Sequence, residues 1–144
     1  MDIDEKNRPK KLLLAGVEIL DATLRPHGFL FSFNHHGKGS GGWFASGSYQ
    51  KDDRRLELHF RQALGMVTYS LGSDRLDHET YMRMLGVYGR NQYPDFPQEP
   101  LNSFRCLASD LESFCDDFIA GDAAQFRALA RQHALNPKAF QGVP

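Results

Sequence analysis

The chain has 144 residues, 41% of them hydrophobic and 24% charged, which suits one ordinary domain with its own core and excludes a disordered chain. A formal net charge of −1 argues against a nucleic-acid binder, whose basic surface would show in the total. No apolar leader opens the chain and no run approaches the roughly 20 apolar residues of a membrane span, so no membrane association and a cytoplasmic location are expected.

The charged start, "MDIDEKNRPKK", is expected to be a loose tail over residues 1–8. Pro9 suits a first helical turn. Behind it Leu13, Val17, Leu20 and Leu24 recur at spacings of three and four and predict an amphipathic helix, which Pro26 and Gly28 stop.

From Phe29 the hydrophobic period becomes two. Phe29, Phe31 and Phe33 alternate with Leu30, Ser32 and Asn34, and after a glycine-rich connection Trp43, Ala45, Gly47 and Tyr49 alternate with Phe44, Ser46, Ser48 and Gln50. Leu56, Leu58 and Phe60 follow, then Val67, Tyr69 and Leu71. Four strands with short connections predict an antiparallel meander. Pairing Tyr49 with Leu56 places Ser48 opposite Glu57 and Ser46 opposite His59. Pairing Phe60 with Val67 places His59 opposite Thr68 and Glu57 opposite Ser70. Both choices leave one greasy face and one face carrying Ser46, Ser48, Glu57, His59, Arg61, Thr68 and Ser70, and a slip by one residue would exchange the faces.

After Gly72 the helical period returns. Asp77 is a predicted cap for a helix with Tyr81, Leu85 and Tyr88 on its stripe. Three prolines within residues 91–100 predict a loop, pinned to the core by Tyr93 and Phe96 around Pro94. A strongly amphipathic helix follows over residues 101–121, with Phe104, Leu107, Leu111, Phe114 and Phe118 on one stripe. Asp122 is a predicted cap for a last helix ending near Gln132, and residues 134–144 read as a second tail. The expected fold is therefore one α+β domain: a four-stranded antiparallel meander with N-terminal and C-terminal helices packed on one face.

Between Pro94 and Asp122 seven acids face one base, Arg105, so that segment carries −6 and the remainder +5. Asp110, Glu112, Asp116 and Asp117 are expected to lie off the apolar stripe, either as a solvated face or as a docking surface for a basic partner. Cys106 and Cys115 are nine residues apart, about 900° of helical rotation, and so point to opposite faces where no disulfide can join them.

Three motifs bear on chemistry. Gly37, Gly39 and Gly42 match G-x-G-x-x-G, but a dinucleotide site needs a helix after the loop, and "WFASGSYQ" alternates like a strand. A hairpin is expected there, and no cofactor. The six histidines show no metal-ligand spacing, and no metal is expected. Ser46, His59 and Glu57 have the residue types of a nucleophile, base and orienter, yet Ser46 lacks the sharp turn that exposes a nucleophile. The same face therefore reads as solvated surface or as a recognition surface.

The order of "RPHGF", "SGSYQ", "LELHFR", "LGMVTYSLG" and a late "F..L..DL..F...F" helix, over residues 12–120, resembles small bacterial domains of unknown function. Some of those are taken to be immunity proteins of polymorphic toxin systems. The resemblance is one of layout and implies an α+β fold and a protein-binding role, with no catalytic residues. The expected function is a non-enzymatic protein-binding domain, such as an immunity-type inhibitor of a toxin. The alternatives are a small-molecule binder or small enzyme with its pocket over the polar sheet face, and a homodimer formed through that face.

Overall fold

The computed structural model describes residues 2–95 and 99–135, with side chains from Glu5 onward. Phe96 and the chain beyond Leu135, for which a pinning role and a tail are expected, lie outside these. The order of elements is α1 (Asp2–Leu24), β1 (Leu30–Gly39), β2 (Gly42–Lys51), β3 (Arg54–Phe60), β4 (Leu64–Leu71), β5 (Asp74–Asp77), α2 (His78–Met84), α3 (Asn102–Phe114), α4 (Asp116–Ile119) and α5 (Ala124–Leu135).

The chain is α+β with one antiparallel sheet, but the sheet has five strands in the order β1-β2-β3-β4-β5 where four are expected. The extra strand is the four-residue β5, turned back on β4 across Gly72 and Ser73, with Leu71 opposite Asp74. Gly72 takes φ +61, a conformation that costs glycine little. Leu76 is the sole apolar residue of β5, so no alternation announces it.

Tyr49 pairs with Leu56, Ser48 with Glu57 and Ser46 with His59, as the sequence predicts. The next pairing differs. Leu58, not Phe60, lies opposite Val67, and Glu57 lies opposite Thr68, with an irregularity between Leu58 and Phe60. A shift of two residues preserves the faces, so hydrophobic pattern alone does not discriminate between the registers. The tight connection decides it, closed by Arg61 N–H donating to the Ala63 carbonyl at 3.1 Å.

Helix α1 also starts earlier than expected, at Asp2, with Pro9 inside it. Proline removes a single backbone donor and fixes a helical φ, which a long helix near its start can accommodate. Leu13, Val17, Leu20 and Leu24 are buried. The Tyr49 hydroxyl from β2 donates to the Val17 carbonyl at 3.0 Å or to the Asp21 carboxylate at 2.8 Å. Phe60 stacks on Phe104 of α3, and Tyr69 meets Tyr81, Phe118 and Phe126 edge-on or tilted.

The predicted helix over residues 101–121 breaks at Cys115, whose backbone (φ −110, ψ 23) leaves the helical region. Cys115 is fully buried where Phe114 is half-buried, so the apolar stripe shifts by one residue at the break. Arg54 clamps the end of α4, donating to the Phe118 carbonyl at 2.7 Å and to the Gly121 carbonyl at 2.6 Å. A cation on a helix C-terminus complements its dipole. In α2, Asp77 caps as expected by accepting from Thr80 N–H at 2.7 Å. Tyr81 is buried, but Tyr88 is exposed beneath the Arg83 guanidinium.

Candidate functional site

Strand parity and register bring Ser46, Glu57, His59 and Thr68 together. They line a concavity of about 500 Å³ in the outer sheet face, with Asn34 and Met66 on its rim. Ser48 and Ser70 share the face but do not line the concavity. Both are buried, as is Thr68, against the expectation of an evenly open polar face. Short hydroxyl side chains on central strands sink beneath longer neighbours: Asn34 donates to Ser48 Oγ at 3.4 Å, and Arg75 reaches across to Glu57 at 3.2 Å. Met66 stands out at 68% exposed.

The nucleophile, base and orienter are not assembled. Glu57 is engaged by Arg75 and by Arg55 at 3.7 Å. Ser46 Oγ donates to the His35 carbonyl at 3.4 Å. The His59 ring stacks on Phe44 at 5.1 Å, and among the described residues it makes no hydrogen bond with either of the other two. Burial, and then the positive charge of Arg61, lower the His59 pKa below its ordinary 6.5. The stability associated with neutral His59 is therefore present above pH 6.5 and is lost as pH falls through the lowered folded value. In an NMR titration Arg61→Gln is expected to raise the His59 pKa part of the way to 6.5, because burial is the larger cause. An unmoved titration would remove Arg61 from the account.

Arg61 leaves the sheet-face concavity and resolves the glycine motif. Gly39 pairs with Gly42 across a two-residue turn of Ser40 and Gly41, so the segment is the expected β-hairpin. The Arg61 guanidinium lies against that turn. A Cβ on Gly41 would stand 1.6 Å from Arg61 Nη1, and one on Gly39 would stand 3.5 Å from Nη2. At least Gly41 is thus required for the arginine to lie where it does.

The acidic group separates into three situations. Glu112 and Asp116 are exposed and line a concavity of about 360 Å³ with Thr23 and His27. Thr23 Oγ1 donates to Glu112 at 2.8 Å. Asp117 is half-buried and accepts from Phe126 N–H at 2.8 Å, joining α4 to α5. Asp110, expected on the surface, is buried at 1% exposure. It accepts from the backbone N–H groups of Gln92 (2.7 Å) and Tyr93 (2.9 Å) and bonds His78 Nε2 at 2.9 Å. His78 Nδ1 meets the Tyr69 hydroxyl at 2.7 Å, and Cys115 Sγ lies 3.7 Å from that hydroxyl. Tyr93 is pinned as expected, its hydroxyl reaching the carbonyls of Leu64 (3.0 Å) and Gly65.

Sequence reasoning missed this chain of Tyr69, His78, Asp110 and Cys115. The available signal is an aspartate three residues after Leu107 and one before Leu111, at the border of the stripe. Among the described residues no group of three or more His, Cys, Asp or Glu is placed to hold a metal ion.

Both cysteines are free. Burial pushes the Cys115 thiol up to about 12, against the lowering effect of the Tyr69 hydroxyl. Burial and then Asp95 also raise the Cys106 thiol, but Cys106 is only half-buried. An aromatic disulfide reagent at about pH 8 is expected to modify Cys106 in the native protein and Cys115 only on unfolding, since thiolate and access are both needed. Equal rates, mapped by mass spectrometry, would mean that the core beneath β4 opens.

Among the described residues no helix is long and apolar enough to cross a membrane. Comparison of the chain with protein-family models, with curated proteins and with solved structures returns no match.

Proposed function

We propose that the chain is a non-enzymatic cytoplasmic binding domain whose outer sheet face receives another protein, with an immunity-type inhibitor of a bacterial toxin as the form that the layout resemblance implies. On this reading the helices lie on the face of Leu56, Leu58 and Phe60 and leave the opposite face for a partner. The contacts of Tyr49 with α1, of Phe60 with α3 and of Tyr69 with α2, α4 and α5 support that placement. The observation that carries the reading is the mixture on the outer face. Exposed Met66 and the Phe44–His59 stack flank hydrogen-bonding Ser46, Asn34 and Glu57 around one concavity. Soft apolar anchors within a polar surround are the composition of recognition surfaces. Catalysis finds less support, because the polar groups are turned toward arginines and carbonyls and not toward each other.

A photo-crosslinking residue in place of Met66, expressed in the source cells, tests this. The expected result is a crosslink to one heterologous protein, absent when the same residue replaces Leu14 on α1. A crosslink to a second copy alone would favour the homodimer. A folded variant that captures neither would leave a small ligand as the occupant of the concavity and overturn the protein-binding reading.

A further inference from the structure

A second concavity of about 500 Å³ lies between the N-terminal part of α1, the β1–β2 hairpin and the β3–β4 connection. Arg8, Arg61, Trp43, Gln62 and Glu5 line it. It shares no lining residue with the sheet-face concavity. Among the side chains described, from Glu5 onward, neither Arg8 nor Arg61 has a carboxylate partner, as is also true of Arg25, Arg54 and Arg90, whereas the other six arginines are each paired with one. The ammonium groups of Lys6 and Lys38 add to them, 5.7 and 5.8 Å from the centre of the Trp43 ring. Two arginines thus line the concavity and two lysines stand over its indole, with Glu5 as the one carboxylate among the described residues that line it.

The position of Arg61 is built in. The Gly41 turn leaves the space that its guanidinium occupies, and the Phe44 ring lies 5.9 Å from its central carbon. A guanidinium held in place before binding loses little freedom when it forms two parallel hydrogen bonds to an oxyanion. Against the carboxylate of Glu5, these cations leave the described part of this region positively charged. That charge suits a phosphate monoester, which carries about −1.5 to −2 at pH 7.

We propose that this concavity is a binding site for the phosphate group of a small phosphorylated ligand, held by Arg61 and Arg8 beside Trp43. The hairpin contributes the arginine's seat and does not act as a phosphate loop, since no helix follows it to present backbone N–H groups.

The test is a heteronuclear NMR titration of the full chain with pyrophosphate. Saturable shifts are expected at the Trp43 indole and at the amides of Gly41 and Gly42. Arg61→Ala and Arg8→Ala are each expected to weaken binding about tenfold or more, the scale of one lost charge-assisted contact. Gly41→Ala keeps the fold, because only the end of a flexible side chain need move, and is expected to weaken binding by displacing Arg61. Arg131→Ala, on α5, is expected to leave it unchanged. No saturation by about 10 mM, or equal weakening by Arg131→Ala, would show general charge attraction and overturn the site. Malonate binding as tightly as pyrophosphate would overturn the phosphate assignment. A deoxythymidine decamer binding far more tightly than pyrophosphate would make the region a nucleic-acid surface and overturn it as well.

Discussion

Leu58→Asp is expected to abolish the folded state at 25 °C, whereas His59→Ala, one residue along the same strand, is expected to fold with nearly native stability. Leu58 is 1% exposed and faces the core between Gly47 and Val67. An unpaired carboxylate there costs several kcal/mol in desolvation, besides the roughly 2–5 kcal/mol of lost aliphatic packing. Together these are comparable to the roughly 5–15 kcal/mol that stabilises a whole domain. His59 loses a stacking contact with Phe44 and, among the described residues, no side-chain hydrogen bond, which corresponds to about 1 kcal/mol. Circular dichroism during thermal unfolding checks both variants. If His59→Ala proves the more damaging, β3 presents the opposite face to the core and the sheet-face site falls with it.

Asp110→Ala is the second large effect, expected to cost about 3–5 kcal/mol in urea unfolding. It leaves the N–H groups of Gln92 and Tyr93 and the Nε2 of His78 without their acceptor, and two of these partners belong to the loop before α3. A buried donor left unsatisfied costs about 1–3 kcal/mol, and the three share one carboxylate, so the losses do not add in full. Glu112→Lys, two residues further along α3, is expected to change stability by no more than about 1 kcal/mol, because Glu112 is exposed. Comparable losses in the two variants would mean that Asp110 is solvated.

Periodicity made the elements legible wherever one face of a segment was apolar over several repeats. Leu13, Val17, Leu20 and Leu24 announced α1. The alternations of Tyr49 and of Leu56, Leu58 and Phe60 announced β2, β3 and the register between them. Cap chemistry at Asp77 was legible as well, since it depends on the next three residues alone. Asp122 accepts from Ala124 N–H at 3.0 Å but stands one residue before the capping position of α5, whose Phe126 N–H is taken by Asp117. The same local logic rejected a phosphate loop at Gly37, Gly39 and Gly42, because a strand-like run follows them.

Tertiary structure decided what local pattern leaves degenerate. A two-residue slip between β3 and β4 keeps every side chain on its face, so only the closed Arg61–Ala63 connection selects Leu58 opposite Val67. β5 has too few residues to show a period and exists because β4 offers it an edge. The four acids of the third helical segment look alike in sequence, yet Asp110 is buried, Asp117 joins two helices, and Glu112 and Asp116 face solvent. Their fates depend on groups far away in the chain, such as His78 and the backbone of Gln92 and Tyr93. Arg61 is the same case: its sequence neighbours place it near the sheet, but the absent side chain of Gly41 sets where its charge sits. Amphipathic period follows from intrinsic geometry and the hydrophobic effect, and is therefore carried by neighbouring residues. Hydrogen-bond partners and seats for charge come from distant segments, and exist only once the chain has folded.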